Sequence, residues 1–273
     1  MNNEELRQRA YSHGFERAYF LPAPAFPKHE DEPHILWDAS EYEGAVSLLL
    51  VRAYSPYPRG ERIPAYYISS NASYHAAVAL ARELEAEGVN ILRRELPIKQ
   101  LCVKYGVGEL CRSSLIALPG LGTRVVFQSA LVRGGEFRAE EYHAEGYSSA
   151  PSFSCENCRA CISACPAGAI SEDGLDVKKC MRYYMDGADY PEWVYSVQST
   201  HMGCEVCQAV CPRNAHIPLA SPTEEERAAF ELSRLAEGDT KEARLLVGKN
   251  FTGRGKLQKE ALHFLGREKE DRN

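Results

Sequence analysis

The hydrophobic and polar positions along the first 150 residues alternate between strand-like and helix-like patterns. Residues 45–53, AVSLLLVRA, are apolar nearly throughout, as expected for a strand covered on both faces. Residues 17–21 alternate in the manner of a half-buried strand. Further strands are predicted over residues 90–94, 114–118 and 124–132, and helices over residues 4–13, 75–87 and 98–104. Because helices and strands alternate, this region predicts an α/β or α+β sandwich, and we assign the α+β class.

The last fifty residues are polar and are predicted to be helical. A helix start is predicted at Ser221-Pro222-Thr223-Glu224, with Ser at the N-cap, Pro at N1 and Glu at N3. Residues 241–273 contain nine Lys and Arg against five Asp and Glu, which indicates a solvated helical face or a contact with nucleic acid. We therefore divide the chain into an N-terminal domain of helices and strands at residues 1–150, a middle segment at residues 151–220 and a helical C-terminal segment at residues 221–273.

Composition narrows the class of protein. A hydrophobic content of 44% and a charged content of 26% over 273 residues are typical of a soluble globular chain. The net charge of −6 gives no overall attraction to nucleic acid. The longest apolar run is far shorter than the roughly 18 residues of a membrane span, and the N-terminus does not resemble a signal peptide. A cytoplasmic protein with no membrane contact is predicted.

Ten cysteines give the strongest chemical signal. Residues 155–166 contain C-x2-C-x2-C-x3-C-P, the spacing of bacterial two-cluster ferredoxins, in which the fourth cysteine ligates the other cluster. Residues 204–212 contain C-x2-C-x3-C-P, which supplies three thiolates, and one more cysteine lies between the runs. Two 4Fe–4S clusters are predicted. Their ligands are a first cysteine group of Cys155, Cys158, Cys161 and Cys211, and a second cysteine group of Cys165, Cys180, Cys204 and Cys207.

Disulfides and zinc are the alternative uses of these cysteines. Disulfides are rare in a chain without a secretory signal. Zinc sites favour paired C-x2-C knuckles and would not account for both Cys-Pro endings. The remaining two, Cys102 and Cys111, are expected to be buried free thiols, with a redox or ligand role as the alternative for Cys111.

The order of these segments resembles the epoxyqueuosine reductase family and its relatives, the cobalamin-dependent reductive dehalogenases. The resemblance covers most of the chain, which is similar to a short, divergent member. It is carried by residues 45–53 followed by Pro56-Tyr57, by the block from Leu96 to Gly108, by the segment from Gly203 to Gln208, and by the tail at residues 248–266.

The resemblance implies a nitroreductase-like, cobalamin-binding type of α/β domain, then a bacterial-type two-cluster ferredoxin domain and a short helical tail. An external electron donor would supply electrons through both clusters to cobalamin in the N-terminal domain. An epoxide on a modified tRNA nucleoside would then lose its oxygen. The alternative is a non-catalytic, ferredoxin-like electron carrier for a partner protein that has lost the N-terminal cofactor. A flavin in that domain is a third interpretation.

The chain departs from the family at the proton donor. Ser73-Tyr74-His75 stands where the family has Asp-Tyr-His, whose Asp is taken as the donor. A serine hydroxyl is a poor general acid, so Tyr74 or His75 is expected to replace it, and His has the better matched pKa.

A second departure lies in the glycine-rich loop of the family. Gly106, Gly108, Cys111 and Arg112 stand at matching positions and are the candidate cofactor-binding residues, with Cys111 replacing the last glycine. Glycines allow a backbone to approach a flat ligand closely. A pocket is therefore expected between residues 73–75 and residues 106–113, beside the first cysteine group.

Overall fold

The computed structural model describes residues 1–23, 42–58, 60–142, 155–185, 190–249, 253 and 255–270. The boundary predicted near residue 150 lies outside these ranges. The helices and strands of the N-terminal part are α1 (Asn3–Ser12), β1 (Arg17–Pro22), β2 (Val46–Ala53), α2 (Ala65–Ala86), β3 (Asn90–Arg93), α3 (Ile98–Lys104), β4 (Glu109–Leu110), β5 (Ile116–Ala117) and β6 (Val125–Arg133).

Four strands form an antiparallel sheet in the order β1-β2-β6-β3. The central strand β2 is buried on both faces, as its apolar run predicts. Leu48 and Leu50 pack on one face against α1 and α2, and Leu49 and Val51 pack on the other face against α3 and its loop. The fold is therefore a three-layer mixture of helix and strand. The strand predicted at 114–118 is reduced to β5, which pairs with β4.

Helix α2 begins ten residues before the predicted start at residue 75. The prediction failed because the stretch between Tyr66 and Ser73 is rich in Tyr, Ser and Asn, which are modest helix formers. Tertiary packing overrides this weak preference. Tyr67 is buried and joins an apolar cluster with Met202, Phe230 and Leu257 from distant parts of the chain.

The cysteine-rich segment contains short elements, and the described part of the tail is helical. The described elements are α4 (Ala160–Ala164), β7 (Ile170–Ser171), β8 (Gly174–Leu175), α5 (Glu192–Val197), α6 (Val206–Ala209), α7 (Glu224–Ala229), α8 (Leu232–Ala236), α9 (Lys241–Val247) and α10 (Lys256–Glu270), with 3₁₀ turns at Val177–Lys179, Met181–Tyr184 and Pro212–Asn214. Helix α7 begins later than predicted, because Thr223 is the N-cap and forms a capping box with Glu226. Among the described residues, no helix has both the length and the apolar character needed to span a membrane.

The tail holds the loop that precedes the second cysteine run. The Glu260 carboxylate on α10 is fully buried, lies 3.0 Å from His201 Nδ1, and accepts a hydrogen bond from Met202 N at 3.1 Å. Met202 has a φ of 58°, which is unusual for a non-glycine residue. The Lys256 ammonium donates to the Met185 carbonyl at 3.0 Å. The tail therefore fixes backbone next to Cys204 rather than standing free in solvent.

A buried polar interface joins the cysteine-rich segment to the start of β6. Arg124 is 3% exposed and forms a 2.5 Å ion pair with Glu205. The Gln208 side chain donates to the Thr123 carbonyl at 2.7 Å and accepts from the Tyr54 hydroxyl at 3.0 Å. Because Glu205 and Gln208 are spacer residues of the second cysteine run, the same short segment supplies both thiols and docking side chains.

We expect Arg124→Met to lower the free energy of unfolding by about 3 kcal/mol, because the substitution leaves the Glu205 carboxylate largely buried without its counter-charge. Arg227→Met is the matched control, since Arg227 is half exposed and pairs with Glu61 at 3.3 Å. That exposed pair contributes under about 1 kcal/mol. Urea unfolding followed by circular dichroism under anaerobic conditions measures both. Equal midpoints for the two variants would contradict the interface described here.

Candidate functional site

The seven cysteines of the two runs and Cys180 between them are free, half-buried and gathered in two places. Cys161 lies close enough to Cys155, Cys158 and Cys211 for their charges to interact. Cys204 likewise lies close to Cys165 and Cys180. Cys207 lies close to Cys165, Cys180 and Cys204. These neighbours are the two groups that the spacing predicts.

Local structure explains how each run presents its thiols. Helix α4 begins inside the first run, and Cys165 ends it in an extended conformation before Pro166. Cys211 is likewise extended, and Pro212 opens the 3₁₀ turn that follows. The Ala169 amide donates a hydrogen bond to Cys165 Sγ at 3.3 Å, which is a contact that stabilises a thiolate ligand.

Each group offers four cysteine thiols, which is the donor set of a 4Fe–4S cluster. Among the described residues, no three Cys, His, Asp or Glu side chains could hold one metal ion together. A mononuclear zinc site would need four ligands about 2.0–2.3 Å from the metal. Burial raises the pKa of Cys207 to about 12, so in the metal-free chain this thiol is protonated and iron must displace the proton.

A cavity of about 600 Å³ opens beside the second cysteine group. All four thiols of that group line it, together with side chains from α2, α3, β5 and the start of β6. Most of the lining is apolar or aromatic. A cavity of this size is within the range of small-molecule and cofactor sites.

Two cationic side chains lie in the wall of this cavity. Lys99 Nζ donates to Ser114 Oγ at 3.1 Å, and burial lowers the pKa of the Lys99 ammonium. The Arg182 guanidinium lies 4.8 Å from the ring centroid of Tyr67 and 5.6 Å from that of Tyr66. Glu205 also lines the cavity, with its carboxylate held by Arg124.

The predicted proton-donor triplet does not line this cavity. Ser73, Tyr74 and His75 lie in the middle of α2 rather than at its start. Ser73 is fully buried, and its Oγ has no hydrogen-bond partner. Tyr74 is 46% exposed and carries the Arg93 guanidinium over its ring at 4.9 Å.

The glycine-containing loop lies between α3 and β5 and faces the first cysteine group. Gly106 has a φ of 65° as the chain leaves α3. Gly108 packs against β5, because a Cβ there would lie 2.7 Å from the Ala117 carbonyl oxygen. Arg112 donates to the Cys155 carbonyl at 2.8 Å. The loop residues that do line the cavity are Ser113 and Ser114.

The cavity therefore differs in position from the expected pocket. It borders the second cysteine group, whereas the sequence suggested the first. The physical reason is that Cys111 and Arg112 turn the loop toward the first group, while the docking of Glu205 and Gln208 on β6 brings the second run to the N-terminal domain.

Residues 154–214 match the family described as the 4Fe-4S double cluster binding domain. An epoxyqueuosine reductase of Bacillus anthracis is 25% identical over 98% of this chain and 74% of its own length. The chain resembles epoxyqueuosine reductases over nearly its whole length. An epoxyqueuosine reductase of Shewanella oneidensis is 36% identical over 26% of the chain. The resemblance expected from the sequence is confirmed, and it supports an iron–sulfur oxidoreductase.

Solved structures resemble this fold in the same way. Epoxyqueuosine reductase from Bacillus subtilis has a TM-score of 0.68 at 19% identity and covers 96% of this chain and 80% of its own. A B12-dependent reductive dehalogenase has a TM-score of 0.51 at 18% identity, over 94% of this chain and 38% of its own. These structures support the mixed helix–strand fold with a double-cluster segment.

Sequence reasoning missed the side chains that line the cavity. Tyr66 and Tyr67 lie in the part of α2 that precedes the predicted start of the helix, and no function was predicted for Lys99. Arg182 follows the predicted ligand Cys180 by two residues. The sequence contained one signal. Glu205 is a charged residue between Cys204 and Cys207, and iron binding by these cysteines does not require a charge at that position.

We expect Cys180→Ala to lower the iron content from about eight to about four per chain, because the second group loses one of its four ligands. Cys102→Ala is the matched control, since Cys102 is a fully buried thiol in the apolar cluster behind β2. Iron analysis and EPR of the reduced protein measure both variants. An unchanged iron content in Cys180→Ala would show that Cys180 is not a ligand of the second cluster.

We expect Ser73→Asp to destabilise the protein by at least about 2 kcal/mol, because it places a carboxylate in a fully buried position without a partner. Ser73→Ala should leave stability unchanged or raise it, since it removes an unpaired hydroxyl and alanine favours helix. Thermal unfolding measures the pair. Equal stability of the Asp and Ala variants would mean that position 73 can open to solvent.

Proposed function

We propose that this chain is a reductase of the epoxyqueuosine reductase type. Its two cysteine groups hold 4Fe–4S clusters, and the cavity beside the second group holds the group that reacts. The observation that carries the proposal is that all four thiols of the second group line the cavity. A ligand in this cavity would be in direct contact with the second cluster.

The two cysteine groups have different surroundings, which suggests a direction for electron flow. The first run carries exposed side chains at Glu156, Asn157 and Arg159. The second run is enclosed by the N-terminal domain, and Cys207 lies near Cys161 of the first group. An external electron donor would therefore dock at the first group, and the second group would face the reacting ligand.

Cobalamin is the cofactor that we propose for the cavity, on the basis of resemblance to the reductases and to a B12-dependent dehalogenase. When bound, it would supply a reducible cobalt for removal of the epoxide oxygen. The side chains of Tyr66 and Tyr67 line the cavity, and its mostly apolar wall suits a cofactor with a large apolar surface. The finer assignment of the N-terminal domain as nitroreductase-like and cobalamin-binding rests on the same resemblance.

The proton source that we propose is Lys99. Of Lys99, Tyr74 and His75, it alone lines the cavity, and burial brings its pKa closer to neutrality than that of a free lysine. Its hydrogen bond to Ser114 fixes the ammonium at the cavity wall. The other titratable or charged groups of the cavity are the four thiols, Tyr66, Tyr67, Arg182, Tyr183 and Glu205.

The proposed substrate is an epoxyqueuosine-modified tRNA. One related epoxyqueuosine reductase was solved with a modified tRNA-Tyr stem loop. The ten free cysteines suit a reducing cytoplasm. The alternative, a non-catalytic electron carrier, is favoured by one observation: the serine at position 73 replaces the acid of the related enzymes and is buried away from the cavity.

The test is anaerobic reconstitution with iron, sulfide and cobalamin, followed by incubation with epoxyqueuosine-containing tRNA and a chemical reductant. We expect retained cobalamin and conversion to queuosine, measured by mass spectrometry of digested tRNA. Lys99→Met should bind cobalamin normally and convert at least about 100-fold more slowly. Lys104→Met, on the same helix but outside the cavity lining, should behave as the parent.

Two results would contradict the proposal. A chain that carries both clusters and binds no cobalamin would favour the electron carrier. If the chain bound cobalamin but left the tRNA unchanged, the proposed cofactor would stand and the proposed substrate would be wrong.

A further inference from the structure

A row of aromatic rings leads away from the cavity beside the second cysteine group. Tyr183 lines this cavity and is 54% exposed, so it lies at the solvent end. The centroid of its ring is 5.2 Å from that of Tyr184, whose ring centroid is 5.5 Å from that of Trp193. Each pair meets edge to face. The three rings therefore form a continuous row from the cavity to α5.

The row ends in a second groove of about 600 Å³, which lies between α5 and α10. Trp193 and Tyr195 of α5 and His263 of α10 line this groove. The His263 ring is stacked on that of Tyr195, with centroids 4.2 Å apart and planes 10° apart. Leu262 is 54% exposed and adds an apolar edge. Trp193 is thus the ring that the row and the groove share.

Cationic side chains accompany the rings. At the cavity end, Arg182 lies in the cavity wall, and the Tyr184 hydroxyl donates to the Lys178 carbonyl at 2.9 Å, which places Lys178 beside the row. At the other end, Arg267 lines the groove, and its guanidinium donates to the Gln198 carbonyl at 2.9 Å. Positive charge is therefore available at both ends of the row.

Two carboxylates lie near these cations. Asp176 accepts a hydrogen bond from the Lys178 amide at 3.1 Å and pairs with the Lys179 ammonium at 3.4 Å. Glu192 lines the groove, with its side chain 83% exposed and 3.7 Å from that of His263. The cations along the row outnumber these carboxylates, although the whole chain has a net charge of −6. They are Lys178, Lys179, Arg182 and Arg267.

We propose that this surface binds unpaired nucleotides of the tRNA substrate. We call it the aromatic strip, and it consists of Lys178, Arg182, Tyr183, Tyr184, Trp193 and Arg267. Bases stack on the exposed rings and phosphates lie against the cations, which is how proteins hold single-stranded nucleic acid. Nucleotides next to the modified one follow the strip while the modified one enters the cavity. This inference rests on the proposed tRNA substrate but requires neither cobalamin nor Lys99.

The composition of the strip favours RNA over a protein partner. A protein interface concentrates its aromatic side chains in a centre from which charged residues are depleted. In the strip, cations adjoin the rings directly, since Arg182 precedes Tyr183 in the chain and Lys178 contacts Tyr184. The protein electron donor is also expected at the first cysteine group, whereas the strip begins at the cavity beside the second.

The test measures the binding of a fluorescently labelled tRNA-Tyr stem loop, without the modification, to the anaerobically reconstituted protein. Trp193→Ala should weaken binding about 10-fold in fluorescence anisotropy, because a base stacked on an aromatic ring contributes to affinity. Tyr11→Ala is the matched control, since Tyr11 is 38% exposed on α1 and lines neither the cavity nor the groove. Equal affinities of Trp193→Ala and the parent would overturn the proposal.

Two further variants cover the case in which Trp193→Ala does not fold. Tyr183 and Lys178 are exposed, so their substitution should leave the fold intact. Tyr183→Ala should also weaken binding about 10-fold. Lys178→Gln should lower the slope of log affinity against log salt by about 0.7, which is the value for one phosphate contact with a single strand. If neither variant changed binding, the proposal would be wrong.

Activity separates this inference from the proposed reaction. If the parent converted epoxyqueuosine-containing tRNA and the strip variants bound RNA normally, the strip would be wrong and the reaction would stand. Strip-dependent RNA binding without conversion would support the strip and contradict the reaction. If Trp193→Ala kept its RNA affinity but was reduced more slowly than the parent by a flavodoxin, and equally fast by dithionite, the strip would be a protein-docking surface and the proposal would be overturned.

Discussion

The docking of the second cysteine run on the start of β6 is the interaction on which the rest of the site depends. The Gln208 side chain donates a hydrogen bond to the Thr123 carbonyl, and the Thr123 amide donates to Asn214 Oδ1. The Arg124 guanidinium donates to the Glu205 carboxylate. The approach is close enough to require glycine at position 122, whose φ is 60° and where a Cβ would lie 2.7 Å from the Arg213 carbonyl oxygen. Since the partners are buried and polar, a shifted register would leave several of them unpaired.

This docking determines which cysteine group meets the cavity. Glu205 directly follows Cys204, and Gln208 directly follows Cys207. The contacts of these two side chains therefore also fix the positions of the two thiols. Helix α10 completes the arrangement from the other side, because the Glu260 carboxylate holds the Met202 amide just before the run. The second run therefore packs against both β6 and the tail, while the first run keeps exposed spacer residues.

Much of the fold could be predicted from local patterns. The apolar run at 45–53 identified β2, and the Cys-Pro spacing identified both cysteine groups. What could not be predicted depended on distant contacts. Helix α2 extends to Ala65 because Tyr67 packs against the tail, and no local pattern records that contact. The cavity was expected beside the first group because Gly106 and Gly108 resembled a ligand loop, yet Gly108 packs against its own neighbouring strand.

We propose that the reacting group lies beside the second cluster rather than the first. Anomalous diffraction at the iron and cobalt edges, on crystals of the reconstituted protein with bound cobalamin, measures this directly. We expect the cobalt to lie nearer to the cluster held by Cys165, Cys180, Cys204 and Cys207. A cobalt nearer to the cluster held by Cys155, Cys158, Cys161 and Cys211 would contradict it.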